Sequence, residues 1–484
     1  MSSKVENIPS VQSSLKKMTA FLIAGYIAFA VFFYFLSGEQ LIFRDSIGNT
    51  QMPVADSCTQ ELTRNVIVEQ VFTTDIQRLE RISVQWTTFY RQNTGSVNME
   101  LYNDNTGQLV MRDSFDVSEL SEGSILSIES SEPLEDSYRV PFRLRIYSND
   151  SKTGSSPALL INTKASGNLL TFNGEKIGGE LCFSAYGTDY IWTGVHYWKI
   201  VCVGFVILCL ILWLVWVRFK KNKKNYVVNV IVAFQKYRFL IRQLLNRDFK
   251  TKYKRSVLGV FWSFLNPILT MVVQYFVFST IFSTDIENYP SYLLIGVVAF
   301  NFFSESCNLA LMSIVGNSSL ITKVYMPKYI YPVTRVLSSM VNLGISIIPL
   351  VIVCIFTGLQ FKPSALLALF FFACLIVFCM GIGLMLSTAM VFFRDTQFLW
   401  GIFSMLWMYA TPIFYPESIL PDNFKPLLVF NPLYHFIGNI RICLLDGISP
   451  EPRSYFLCLM ISLFVLLVGA LIFRWKQDKF VLYL

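Results

Sequence analysis

The sequence predicts an α-helical polytopic membrane protein with an all-β sandwich inserted near its N-terminus. Three features lead there. Of 484 residues, 54% are hydrophobic and only 15% charged, against about a quarter charged in an ordinary soluble domain. The apolar residues gather into runs that reach the roughly 20 residues a helix needs to cross a bilayer. Charge also divides the chain: residues 38–195 hold 12 Lys/Arg against 21 Asp/Glu, and the remainder holds 28 against 11. The cations lie between apolar runs, which points to membrane topology and away from a nucleic-acid partner. Two histidines and no C-x-x-C pair leave no metal site to expect.

Eight runs qualify as spans. Met18–Leu36 follows Lys16-Lys17; it is longer than a signal-peptide core and lacks a small-x-small cleavage site, so it reads as a retained anchor. Ile200–Val217 is the second and runs straight into RFKKNKK. Ser256–Phe282, Tyr289–Ile314, Ile330–Leu359, Ser364–Phe393, Thr396–Tyr415 and Ser454–Phe473 follow, with Glu305 and Arg335 their only charges. An even count places both termini on one side. Arg218–Arg255 carries 13 Lys/Arg against the single acid Asp248. The positive-inside rule makes that segment and both termini cytoplasmic, and the acidic segment external. The expected divisions are 1–37, a tail and first anchor; 38–195, the outer sandwich; 196–224, the second span and a basic linker; and 225–484, the main membrane domain.

The outer segment shows period-two alternation at Val66–Phe72, Arg81–Trp86, Ser96–Tyr102, Gln108–Met111, Ile125–Ile128, Phe142–Ile146, Ala158–Ile161 and Leu181–Tyr186. Eight short strands with polar turns indicate a two-sheet sandwich of jelly-roll type. In strand spacing and aromatic content it resembles carbohydrate-binding modules. Trp86, Tyr90 and Tyr102 are then candidate glycan-stacking rings, with core packing as the competing role for each. Cys58 and Cys182 are the two cysteines of this segment, and an oxidising exterior would allow a bridge between them.

After the second span, Phe239, Leu240, Leu244 and Leu245 recur at helical spacing among Arg238, Arg242, Arg247, Lys250, Lys252 and Arg255. That pattern predicts an amphipathic helix in the headgroup layer, facing membrane lipid or a partner. Three collinear stretches then appear: RDFKTKYKRSVLGVFWSFLNP, ITKVYMPKYIYPV, and FFRDTQFLW…ATPIFYPESILP…NPLYHFI. Together they resemble the ABC type-2 exporter permeases that move polysaccharides, O-antigens, capsules and teichoic acids, over about Asn225–Leu484. The resemblance implies a six-span permease core in the bacterial cytoplasmic membrane, preceded here by two additional spans. It further implies a second copy of the chain, two separate ABC ATPase subunits and a lipid-linked glycan as substrate. No G-x-x-x-x-G-K-[ST] phosphate loop occurs. The chain is therefore expected to be a permease and no enzyme, without a cofactor of its own; ATP and Mg would sit on the partner. The motif match places ATPase coupling at Lys323, Tyr325 and Met326, and at Arg394 and Asp395.

Phe261, Phe264, Ile268, Met271, Tyr275, Phe278 and Phe282 alternate at spacings of three and four, so they share one helical face. Aromatic rings stack on the C–H faces of sugars without demanding one hydrogen-bond pattern. Phe261, Phe264, Tyr275, Phe278, Phe282 and the intramembrane Glu305 are accordingly the expected substrate path, the alternative being a lipid-facing or dimer-packing face. Arg335 is expected to snorkel to the cytoplasmic surface. Residues 416–453, broken by prolines yet apolar, predict a re-entrant outer hairpin with Arg441 and His435 satisfying backbone groups. Two rival functions remain at this level. A receptor or sensor would not need six further spans; a membrane glycosyltransferase would need clustered carboxylates or histidines.

Overall fold

The computed structural model describes residues 9–47, 52–165, 168–221, 236–253, 259, 261–282, 288–323, 326–421, 423 and 425–484. The chain forms two compact units, Glu39–Tyr197 and the remainder.

The first unit is a two-sheet antiparallel sandwich. Its strands are β1 Phe43–Ile47, β2 Ser57–Cys58, β3 Ile67–Thr73, β4 Arg78–Thr87, β5 Ser96–Asn103, β6 Leu109–Asp116, β7 Ile125–Leu134, β8 Pro141–Tyr147, β9 Ala158–Asn162, β10 Leu169–Phe172, β11 Glu175–Ile177, β12 Glu180–Leu181 and β13 Phe183–Tyr190. One sheet runs β11-β10-β3-β8-β5-β6; the other follows β1-β13-β4-β9-β12, with β7 on β4 and β2 on β9. All eight expected strands are present. Alternation decides what faces inward. Met99 and Leu101 lie in register with Ile146 and Leu144, and with Val97 they are fully buried. Phe72 reaches Phe183 of the opposite sheet at 4.8 Å between ring centroids. On the outward face the same registers put Arg112 beside Glu100 (3.5 Å) and Arg145 beside Glu69 (3.7 Å), alternating signs that favour cross-strand pairing.

Cys58 and Cys182 do not form the expected bridge; both are free thiols. Cys58 pairs with Leu160 from one side of β9, while the Cys182 N–H donates to the Leu160 carbonyl from the other. A strand lies between them. Two strand spacings come to about 9.6 Å, beyond the roughly 7 Å that a disulfide spans. Burial pushes the Cys182 thiol up to about 11.

In the second unit the principal helices are α1 Pro9–Ser37, α2 Tyr197–Lys220, α3 Arg238–Tyr253, α4 Phe261–Phe282, α5 Tyr289–Leu311, α6 Ile330–Phe356, α7 Ala368–Phe392, α8 Thr396–Ala410, α9 Pro432–Arg441 and α10 Pro452–Lys476. Among the described residues, seven helices are long and apolar enough to cross a membrane: α1, α2, α4, α5, α6, α7 and α10. The α1 and α2 helices run antiparallel. Leu15 is buried with Phe219 at one end, and the Tyr34 and Trp198 rings lie 5.2 Å apart at the other. Phe33 meets Tyr455 edge-on at 4.8 Å, which fastens the pair to α10. The central helix is α5, buried along nearly its whole length. The closest helix pair is α7 with α10: a Cβ on Gly469 would sit 2.3 Å from the Gly381 carbonyl oxygen, so the backbones touch, as small residues allow in membrane helix pairs.

The expected span at 396–415 is helical only to Ala410. Fifteen residues rise about 22 Å, short of a core about 30 Å thick. Thr411 and Pro412 break the helix, since proline has no N–H to continue it. The broken chain still reaches the start of α5. It leaves the end of α7 at Asp395, and its Pro412 carbonyl reaches Arg441, which also binds the Tyr292 carbonyl at the start of α5. The proline-broken segment beyond folds as short helices ending in α9, whose Leu433, Phe436, Ile437 and Ile440 are buried; α9 packs on α5 and α7.

Mass spectrometry of the unreduced protein, alkylated after denaturation, should find both Cys58 and Cys182 modified. A linked peptide pair would contradict the strand arrangement.

Candidate functional site

Polar residues converge inside the membrane unit where hydropathy alone predicts none. On α6, Arg335, Ser338, Asn342 and Ser346 recur at spacings of three and four, so they form one stripe. On α5, Asn301, Glu305 and Asn308 do the same. The stripes meet: the Asn342 amide donates to Glu305 at 2.8 Å, and Ser346 Oγ donates to the Ser263 carbonyl of α4 at 3.3 Å. A cavity of about 600 Å³ opens between α3, α5 and α6, lined by Arg247, Asp248, Glu305, Arg335, Ser338 and Asn342 among others. A second space, about 60 Å³, lies among Ser263, Asn266, Asn301, Glu305 and Asn342. The Glu305–Asn342 pair therefore lines both spaces.

The cavity is closed on one side by charge. Arg335 Nη1 lies 2.8 Å from Asp248 Oδ2, and Arg247 Nη2 lies 3.2 Å from Asp248 Oδ1. Arg247 also donates to Asn317 Oδ1 at 3.3 Å. Asp248 thus bridges two guanidinium groups and ties α3 to α6. The Arg335 guanidinium, expected at the cytoplasmic surface, is held by Asp248 of α3. Glu305 accepts a hydrogen bond from Asn342 of the neighbouring helix α6.

The α3 helix is amphipathic, with a packed face that differs in detail from the expected one. Ile241 and Leu244 are buried and Leu240 and Leu245 pack beside them, while Phe239 is 73% exposed. Arg238, Arg242 and Lys250 are exposed. Arg255 lies outside the described residues, as does the side chain of Lys252.

The aromatic stripe on α4 does form one face, but that face is turned to its own chain. Tyr275 lies 6.0 Å from Tyr289 and Phe278 stacks on Phe414 at 5.4 Å; at the start of the helix Phe264 stacks only on Phe261 of α4 itself, which is 51% exposed. Met271 is buried, whereas Val273, Phe276 and Val277 on the opposite side are bare. These rings hold α4 in place and do not line the polar cavity. The side chain of Phe282 lies outside the described residues.

Of the expected coupling residues, Arg394 and Asp395 are exposed in the turn between α7 and α8. Met326 is buried with Ile330, Tyr331 and Phe480. Beside it, the Lys328 ammonium donates to the Gln477 carbonyl at 2.6 Å, and burial lowers its pKa from the ordinary value. Tyr325 and the side chain of Lys323 lie outside the described residues.

In the sandwich, Trp86 is fully buried and cannot stack on a ligand. It shares the inward parity of Ile82 and Val84. Tyr102 is half-buried and donates to Glu100 at 2.7 Å; that carboxylate raises the Tyr102 hydroxyl pKa. Tyr90 is 90% exposed. Beneath it, Glu122 accepts from the Thr88 N–H (2.8 Å), Thr88 Oγ1 (3.0 Å) and the Tyr90 N–H (3.3 Å). Burial opposes ionisation of Glu122, but these donors outweigh it and hold its carboxyl below the usual range.

Because Asp248 neutralises two arginines, its loss should cost more than the loss of one of them. Breaking a fully buried ion pair from one side costs about 3–5 kcal/mol; the Arg247 and Arg335 side chains are 44% and 22% exposed, which lowers the cost here. Asp248→Ala should fall below that range in denaturant melts of the detergent-purified protein and still cost more than Arg335→Met, since in the latter Arg247 stays with Asp248. Equal costs would mean that Arg247 takes no part.

The ABC-2 type transporter family profile matches residues 240–445, which include α3's cavity face, both polar stripes and α9. The O-antigen export system permease protein RfbA of Klebsiella pneumoniae is 30% identical over 244 residues, 50% of this chain and 93% of the relative. RfbA of Myxococcus xanthus is 27% identical over 260 residues, 52% of this chain and 98% of that one. The polysialic acid transport protein KpsM of Escherichia coli is 23% identical over 254 residues, 51% and 96% respectively. Half of this chain thus corresponds to nearly the whole of each relative, and the chain belongs to the ABC-2 type transporter permeases.

Proposed function

We propose that the chain is the transmembrane permease of an ATP-driven exporter that moves a lipid-linked surface polysaccharide across the cytoplasmic membrane. The observation carrying this reading is coverage: the matched half spans 93–98% of permeases whose names specify O-antigen or polysialic acid transport. ABC-2 permeases work with a partner ATPase, and this sequence has no phosphate-binding loop of its own. The working unit in this proposal is two copies of the chain with two ATPase subunits. The bare face of α8, with Phe398, Leu399, Ile402 and Leu406, suits either lipid or the second copy. Both termini and the basic Arg218–Arg255 segment are cytoplasmic, and the sandwich is external. Arg394 and Asp395, exposed between α7 and α8, are the residues offered to the ATPase.

The substrate contact is assigned to the polar cavity and not to the aromatic stripe. A glycan presents hydroxyls at every step, and burying them without hydrogen-bond partners is costly. Glu305, Asn342, Ser338 and Arg247 supply donors and acceptors at the α3 side of the membrane unit. A large side chain at Ser338 should block that space while leaving Arg335, Asp248 and Arg247 in the sequence. Ser338→Trp should reduce surface polysaccharide tenfold or more, while membrane level and co-purification of the ATPase subunit stay normal; Ser338→Ala should be mild. Full export by Ser338→Trp would remove the cavity from the path. For orientation, a cysteine placed at Lys221 in a chain without other reactive thiols should resist impermeant maleimide on intact cells and react after permeabilisation.

A further inference from the structure

Phe89 and Tyr90 follow β4 and have φ of +57° and +55°. The left-handed region is disfavoured for any residue with a Cβ, and most for bulky ones. The Arg91 N–H donates to the Thr88 carbonyl at 3.3 Å, closing a four-residue turn around the pair. Turns with both central residues left-handed ordinarily use Asn-Gly or Asp-Gly. Here two aromatic residues occupy those places.

The turn is held from several directions. Glu122 accepts from Thr88 and Tyr90, Thr87 Oγ1 accepts from the Phe89 N–H at 3.2 Å, and Asn93 Nδ2 donates to the Thr88 carbonyl at 3.3 Å. Arg91 lies over the Phe89 ring at 5.1 Å and pairs with Glu61 at 2.6 Å. What this bracing presents is a Tyr90 ring 90% exposed, with Phe89 39% exposed beside it. Such backbone strain persists only where surrounding structure over-determines it. Glycine at either position would relieve it; Phe89 packs under Arg91, but the 90% exposed Tyr90 buries too little for packing to account for its place.

We propose that Phe89 and Tyr90 form a preorganised stacking platform for the C–H face of a pyranose ring in a polysaccharide, with Arg91 and Glu61 at its edge for the hydroxyls. A rigid aromatic pair loses little conformational freedom on binding. It tolerates variation along a polymer, because stacking reads a ring face and no single hydrogen-bond pattern. The identity of the glycan rests on the export reading above; the existence of the platform does not.

The test uses the full chain purified in detergent. Its binding is measured by interferometry to immobilised cell-surface polysaccharide, stripped of lipid, from cells that carry this chain, and to mannan and dextran. Tyr90→Gly should weaken binding about tenfold or more, within the range that base stacking on aromatic side chains gives, and should raise the temperature of thermal unfolding. Tyr90→Phe should bind as the parent does. Equal binding by Tyr90→Gly, loss in Tyr90→Phe, or no binding of any of the three polysaccharides by the parent chain overturns the platform. Export in a complemented null strain separates the two readings. Tyr90-dependent binding of mannan or dextran with no polysaccharide export leaves the platform standing and ends the export reading. Intact export with binding indifferent to Tyr90 does the reverse.

Discussion

A single guanidinium organises one end of the membrane unit. Arg441 donates to the carbonyls of Pro412 (2.6 Å), Ile413 (2.9 Å) and Tyr292 (3.2 Å), and lies 3.4 Å over the Tyr292 ring. Backbone polar groups at membrane depth must find partners inside the protein. The break of α8 at Pro412 frees carbonyls that no helical N–H can reach, and the five donors of an arginine serve several at once. Asn431 does similar work nearby, accepting from Trp407 Nε1 at 2.7 Å and donating to Thr411 Oγ1 at 2.9 Å. The short α8, the proline-broken segment after it and the start of α5 are therefore one assembly. The broken backbone is tolerated because these side chains complete it.

The sandwich was legible wherever one face alone is buried. Ile82, Val84 and Trp86 share a parity, so the burial of Trp86 follows from the same alternation that predicts β4. The short edge strands β1 and β11 escaped, because FRDSI and EKI have too few apolar residues to show a period. Hydropathy found the long spans but overstated α8, since it weighs Thr411 and Pro412 by polarity and not by the missing N–H. The Arg335–Asp248 pair joins residues 87 positions apart, and no local pattern announces it. The stripe of Arg335, Ser338, Asn342 and Ser346 was present in the spacing all along, hidden by the strongly apolar residues between.

The α4 stripe shows how one periodicity can have two causes. Seven residues on a helical face mean that the face meets something uniform; they do not say what. Ring contacts to Tyr289 and Phe414 show that it meets its own chain. The polar faces of α5 and α6 are the less common feature, because a carboxylate and an amide inside a span are costly unless they meet one another.

The contact between Gly381 and Gly469 carries a mechanical consequence. Two helices whose backbones touch have no layer of side chains to shear through, and sliding one along the other would drive carbonyl oxygens into main-chain atoms. The α7–α10 pair therefore acts as the stator of the molecule. Any opening for a polymer must come from elements seated by exchangeable side-chain contacts, such as α4, α8 and the ion-paired α3, turning against a fixed post.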